Sequence, residues 1–97
     1  MHIGVCRLVF HLPENHSLKG KRQAVSSLKD RVSHRFNVSI AEAEDNGEWQ
    51  RAVLGVACVS NDPRHANEVL SQVVGYIEHN SGDLQLLDYT IEVLHGL

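Results

Sequence analysis

Residues 37–60 read NVSIAEAEDNGEWQRAVLGVACVS. Residues 37–44 form a short strand, and the segment Asp45-Asn46-Gly47-Glu48 turns the chain, because Asn-Gly tolerates the positive φ angles of a tight hairpin. Residues 49–60 form the next strand. It is apolar on both faces through its centre, as an interior strand is. The middle of the chain is therefore a β-hairpin, and what flanks it decides the architecture.

Upstream, residues 2–12 alternate with period two. Cys6, Leu8, Phe10 and Leu12 share one face, and Val5, Arg7, Val9 and His11 share the other, less buried one. Pro13-Glu14-Asn15 breaks the pattern. Ser17 is placed to cap a helix, whose apolar stripe is Leu18, Val25, Leu28, Val32 and Phe36 and which ends near Arg35. Downstream, Asp62-Pro63 supplies a cap and a first-turn proline. Ala66, Val69, Leu70, Val73 and Ile77 form a second stripe, and Asn80-Ser81-Gly82 stops it. Residues 84–94 are the last strand, with Leu87, Tyr89, Ile91 and Val93 expected on one face and Asp88, Thr90 and Glu92 on the other. The order β-α-β-β-α-β predicts an α+β, ferredoxin-like sandwich: a four-stranded antiparallel sheet in spatial order 4-1-3-2 with two helices on one face.

The chain of 97 residues, 42% hydrophobic and 22% charged, fits a single domain, 1–97, and excludes a disordered tail, a collagen repeat and a bilayer-spanning helix. No signal-peptide pattern opens it, so the expected compartment is cytoplasmic. The net charge of −3 conceals an asymmetry. Residues 1–36 carry seven Lys and Arg against Glu14 and Asp30, whereas residues 37–97 carry Arg51 and Arg64 against ten acids. With an isoelectric point near 6.1, general coating of nucleic acid, and DNA binding in particular, is not expected.

The topology concentrates chemistry at one pole. The end of the first strand lies beside the start of the third, so His11 is expected near Trp49 and Arg51. The first helix begins at the same pole with His16, Ser17, Lys19, Lys21 and Arg22, and His79 is expected to return there. Helix N–H groups, Lys and Arg suit phosphate, and Trp suits base stacking. The competing reading is that Glu44, Asp45 and Glu48 of the hairpin neutralise this cluster or pair with a second copy of the chain.

Other chemistries lack their residues. The seven histidines form no metal-ligand spacing, and the loop His11, Glu14, His16 is the nearest approach to one, so neither metal nor cofactor is expected. The two cysteines, Cys6 and Cys58, form no C-x-x-C pair and are expected to be buried free thiols, close together across the sheet. No acid, base and nucleophile set can be assembled, so the chain is not expected to be an enzyme. Base stacking on the sheet face is unexpected, because the third strand has no aromatic after Trp49.

The elements Ser17-Leu18-Lys19-x-Lys21-Arg22 and Trp49-Gln50-Arg51-Ala52, together with His11-Leu12-Pro13, Phe36-Asn37-Val38-Ser39 and Val53-Leu54-Gly55, resemble the YlxP-like family of small bacterial proteins over nearly the whole chain. The resemblance implies a ferredoxin-like fold and no established catalysis. Genes of that family commonly lie beside those for translation initiation and ribosome-binding factors, which implies a role in ribosome maturation or translation. Gly20 departs from the pattern, since an acidic residue is usual there. Two functions follow. One is a non-catalytic protein contacting ribosomal RNA or a ribosomal subunit through Lys19, Lys21, Arg22, Arg51, Trp49, His11 and His16. The other is a homodimer or small-molecule module using an open sheet face with Val5, Val9 and Val53.

Overall fold

The computed structural model describes residues 1–44 and 47–97. The elements are β1 (His2–His11), α1 (Leu18–Arg35), β2 (Ser39–Glu44), β3 (Arg51–Ser60), α2 (Pro63–Asn80) and β4 (Gln85–His95). The sheet runs β2-β3-β1-β4, and every neighbouring pair is antiparallel. This is the ferredoxin-like order expected above. Of the expected hairpin turn, Asp45 and Asn46 lie outside the described residues, and Gly47 has φ +75°.

β1 and β3 pair from His2 opposite Ser60 to His11 opposite Arg51. Cys6, Leu8 and Phe10 of β1, with Leu54, Val56 and Cys58 of β3, meet Val25, Leu28 and Val32 of α1 and Leu70, Val73 and Ile77 of α2 in one buried core. Gly4 is what lets α2 approach. A Cβ at that position would stand 2.8 Å from Leu70 Cδ1 and 3.1 Å from Cys58 Sγ, closer than packed carbon atoms sit. Both helices are capped as expected: Ser17 Oγ accepts from Gly20 N at 3.0 Å, and Asp62 Oδ1 accepts from Arg64 N at 2.9 Å, each satisfying one otherwise unpaired helical donor. No helix among the described residues is long and apolar enough to cross a membrane.

Three local expectations need correction. β2 begins at Ser39 rather than 37, because Val38 N donates to Phe36 O at 3.0 Å and the chain is still turning there. β3 begins at Arg51 rather than 49, for a reason given below. On β4 the register against β1 shifts between Val9 and Phe10. A bulge of this kind re-aims the side chains beyond it. Leu86 therefore packs on the core, while Leu87 is 63% exposed.

Candidate functional site

The loop after β1 and the first turn of α1 hold the approach to β3 by its carbonyl groups. Lys21 Nζ donates to Glu48 O at 2.8 Å. Asn15 Nδ2 donates to Trp49 O at 2.5 Å and to Ser17 O at 2.8 Å. Leu12 N donates to Gln50 O at 2.9 Å, and His11 Nδ1 lies 3.0 Å from the same oxygen, so that nitrogen carries the proton. Gln50 Nε2 reaches back to Pro13 O and Asn15 O at 3.3 and 3.2 Å. Three successive carbonyls are thus taken by a loop and a helix turn instead of a regular ladder, which is why β3 starts only at Arg51. The backbone of Trp49 is fixed while its side chain projects, 52% exposed.

Lys21 is the main correction at this pole. It is only 3% exposed, and its ammonium serves the Glu48 carbonyl. It does not face a phosphate. The apolar stripe of α1 has a seven-residue gap between Leu18 and Val25, and Lys21 fills it, one helical turn before Val25. Its methylene stem packs inward while its head reaches the hairpin.

On the sheet face away from the helices, Glu44 bridges two arginines. Its Oε1 is 2.5 Å from Arg7 Nη2, and its Oε2 is 3.4 Å from Arg51 Nη1. Hydrogen bonds from Arg7 and then from Arg51 hold its carboxyl below the usual carboxylate range. Val53 faces Val9 and Glu44 in the register and is 1% exposed, although it lies outside the helix-side core. Val53 is covered and so is not part of an open apolar face. Arg51 thus has Glu44, one of the three hairpin acids of the competing reading, as an ion-pair partner.

The cations without an acid partner lie instead along α1, Lys19 and Arg22 exposed and Lys29 half-buried. Lys19, Arg22, Ser26 and Lys29 recur at helical spacing, and Asp30 is the helix's only acid. Lys19, Arg22, Gln23, Ser26, Asp30 and Arg31 border a shallow open groove of about 660 Å³. Arg31 is committed to the Asn80 carbonyl, and Arg35 stacks 4.9 Å over Tyr76. Among the described residues, Lys19, Arg22 and Lys29 have no ion-pair partner.

A family model described as "Protein of unknown function (DUF503)" matches residues 3–91. The chain belongs to the DUF503 family. "Uncharacterized protein YlxP" of Bacillus subtilis (strain 168) is 37% identical over 62 residues, which cover 64% of this chain and 67% of that one. Among solved structures, the de novo designed protein LFR1 1, with ferredoxin fold, superposes with a TM-score of 0.55 at 12% identity, covering 97% of this chain and 83% of that one. That likeness shows the fold alone.

In this DUF503 chain the two motifs resolve into complementary halves. Ser17, Lys21, Gln50 and the neighbouring Asn15 build the staple, while Lys19, Arg22 and the Trp49 side chain are presented to solvent. His16 is exposed in the same loop. His79 does not join the cluster: its Nδ1 lies 3.0 Å from Gly75 O on its own helix. The end of α2 meets α1 at Arg31, ten residues and about 15 Å along from Lys21. Cys6 and Cys58 are buried free thiols two rungs apart, opposite Val56 and Gly4 respectively. Burial pushes the Cys6 thiol up to about 11. Sequence reasoning passed over Asn15, Arg7 and Lys29. For Arg7 the signal was present, a charge in mid-strand on the face away from the core.

Gly20 also acquires a reason. A Cβ there would fall well inside van der Waals contact of Asn15 Oδ1, the side chain that holds Ser17 O and Trp49 O. Any side chain at position 20 would require the Asn15 amide to move from where it sits here.

Proposed function

We propose that this DUF503 protein is a non-catalytic module that docks a phosphate backbone, that of ribosomal RNA, along the exposed face of α1, with Trp49 stacking at the end of that face. The observation that carries the reading is the row of exposed Lys19 and Arg22 with half-buried Lys29 two turns further on. It is unpaired by acids among the described residues and lies on a chain that is otherwise acidic. Such a surface favours one docking orientation over indiscriminate adhesion. The gene neighbourhood implied by the family resemblance supports ribosomal RNA as the polyanion. Lys21 drops out of the contact set, and Arg51 contributes only what Glu44 leaves.

Trp49 is the only tryptophan, so its fluorescence reports directly on this site. Ribosomal RNA should quench it, and the affinity should fall with salt with a log–log slope of about −2 to −3 for three phosphate contacts. Lys19→Ala, Arg22→Ala and Lys29→Ala together should abolish that slope. Salt-independent association, or full binding by the triple variant, defeats the proposal.

A further inference from the structure

The sheet has two outer edges, and they are unlike. β2 has six residues, carries Glu42 and Glu44, and loses register between them; these devices discourage further pairing. β4 also carries two carboxylates, Asp88 and Glu92, and one register shift. But it has eleven residues, no Lys, Arg or Pro, an unbroken register against β1 from Asp88 to His95, and pairs only with β1 among the described strands. Alternate backbone N–H and C=O groups along its outer side are left for another strand, except that Tyr89 N donates to Asp88 Oδ1 at 2.9 Å, a side-chain bond that an incoming strand would displace. Tyr89, Ile91 and Val93 lie on its helix-covered face, opposite Leu8, Cys6 and Gly4. Tyr89 is 47% exposed at the rim and Leu94, on the other face, is 48% exposed.

A second copy of the same strand fits this edge in one particular register. Antiparallel partners share a face, so a two-fold axis normal to the sheet must pass through a residue paired with itself. An axis at Thr90, the strand centre, sets Asp88 against the partner's Glu92 twice, and like charges directly opposite are destabilising. An axis at Tyr89 carries the pairing through the bulge near Leu87. An axis at Ile91 avoids both. Tyr89 then meets the partner's Val93, Ile91 meets itself, Thr90 meets the partner's Glu92 and Asp88 meets the partner's Leu94. The partner's His95, whose Nδ1 lies 2.6 Å from its own chain's His2 Nδ1, comes opposite Leu87 beside a groove of about 700 Å³ lined by Glu78, Leu84, Leu86 and Tyr89.

We infer that the protein self-associates through antiparallel β4–β4 pairing centred on Ile91, joining two four-stranded sheets into one. α2 packs on β4 and α1 on β2, so the basic face of each α1 lies at the far ends of the dimer. This inference therefore stands or falls independently of RNA binding.

Sedimentation velocity from micromolar to near-millimolar protein should show a species of twice 10.8 kDa. Under oxidation Ile91→Cys should crosslink across the axis. Thr90→Cys should not, because its two copies lie about 8 Å apart, beyond disulfide reach. Circular dichroism of reduced Ile91→Cys checks that it folds. Thr90→Glu, at an exposed position, sets two carboxylates against the partner's Glu92 and should weaken association on the order of tenfold. A monomer at every concentration, crosslinking by Thr90→Cys in place of Ile91→Cys, or association unmoved by Thr90→Glu overturns the inference.

Discussion

Replacing Gly20 with alanine tests the staple at its tightest point. Gly20 is the third residue of α1, and helix propensity alone favours alanine there by up to about 1 kcal/mol. Here the new methyl would collide with Asn15 Oδ1, so the Asn15 side chain must leave Ser17 O and Trp49 O. Two hydrogen bonds at about 0.5–1.5 kcal/mol each come to about 1–3 kcal/mol lost. The net expectation is a destabilisation of about 0–2 kcal/mol. The decisive measurement is a double-mutant cycle in urea, followed by Trp49 fluorescence. In an Asn15→Ala background the collision is gone, because Ser17 Oγ, at 3.2 Å from the methyl, has only a few tenths of an ångström to give. Gly20→Ala should then stabilise, and the coupling between the two sites should be about 1–3 kcal/mol. If the two substitutions add to within about 0.5 kcal/mol, Asn15 does not hold the hairpin and the reasoning fails.

Three further outcomes follow from the same geometry. Lys21→Met should lower stability by about 1–2 kcal/mol, since a charged hydrogen bond is lost while the cost of burying an ammonium is relieved; chemical denaturation measures the loss, and the salt slope of RNA binding should not move. Glu44 has its carboxyl pKa lowered by Arg7 and Arg51, so its contribution to stability is present above the ordinary carboxylate pKa and fades as pH falls through the folded value. Polyanion affinity of the wild type should rise over that acid window, whereas Glu44→Gln should show the higher affinity already at neutral pH; equal affinities at neutral pH would contradict the pairing. Cys6 titrates near 11 in the fold against 9.0 as its ordinary value, so stability should decline as pH rises from about 9 to 11, because the unfolded chain sheds its proton first; a Cys6→Ala variant should lack that decline in pH-dependent unfolding.

Much of the fold was legible because its signals are local. Period-two runs marked β1 and β3, and the spacing of Val25, Leu28 and Val32 marked α1. An Asn-Gly between two strands forces antiparallel neighbours. The candidate pole was legible to the same depth: His11 does sit opposite Arg51, and the first turn of α1 does reach the start of the hairpin strand. The role of each side chain there was not. Lys21 and Arg22 are adjacent in sequence and equal in charge, yet one is buried against a carbonyl and the other faces solvent. Helical phase separates them, and the gap between Leu18 and Val25 was the only trace of it.

The sequence by itself determined the element order, the sheet order and the approach of His11 to Arg51 across β1 and β3, because side-chain periodicity and chain connectivity constrain all three before any atom is placed. Only the tertiary structure decided which charges are spent inside the molecule. Lys21 on Glu48, Asn15 on Trp49, and Glu44 between Arg7 and Arg51 join residues up to 37 positions apart. Such pairings depend on distances of a few tenths of an ångström between side chains that no local pattern correlates. The same accounting moved the unpaired cations from the pole, where the topology had gathered them, to the flank of α1.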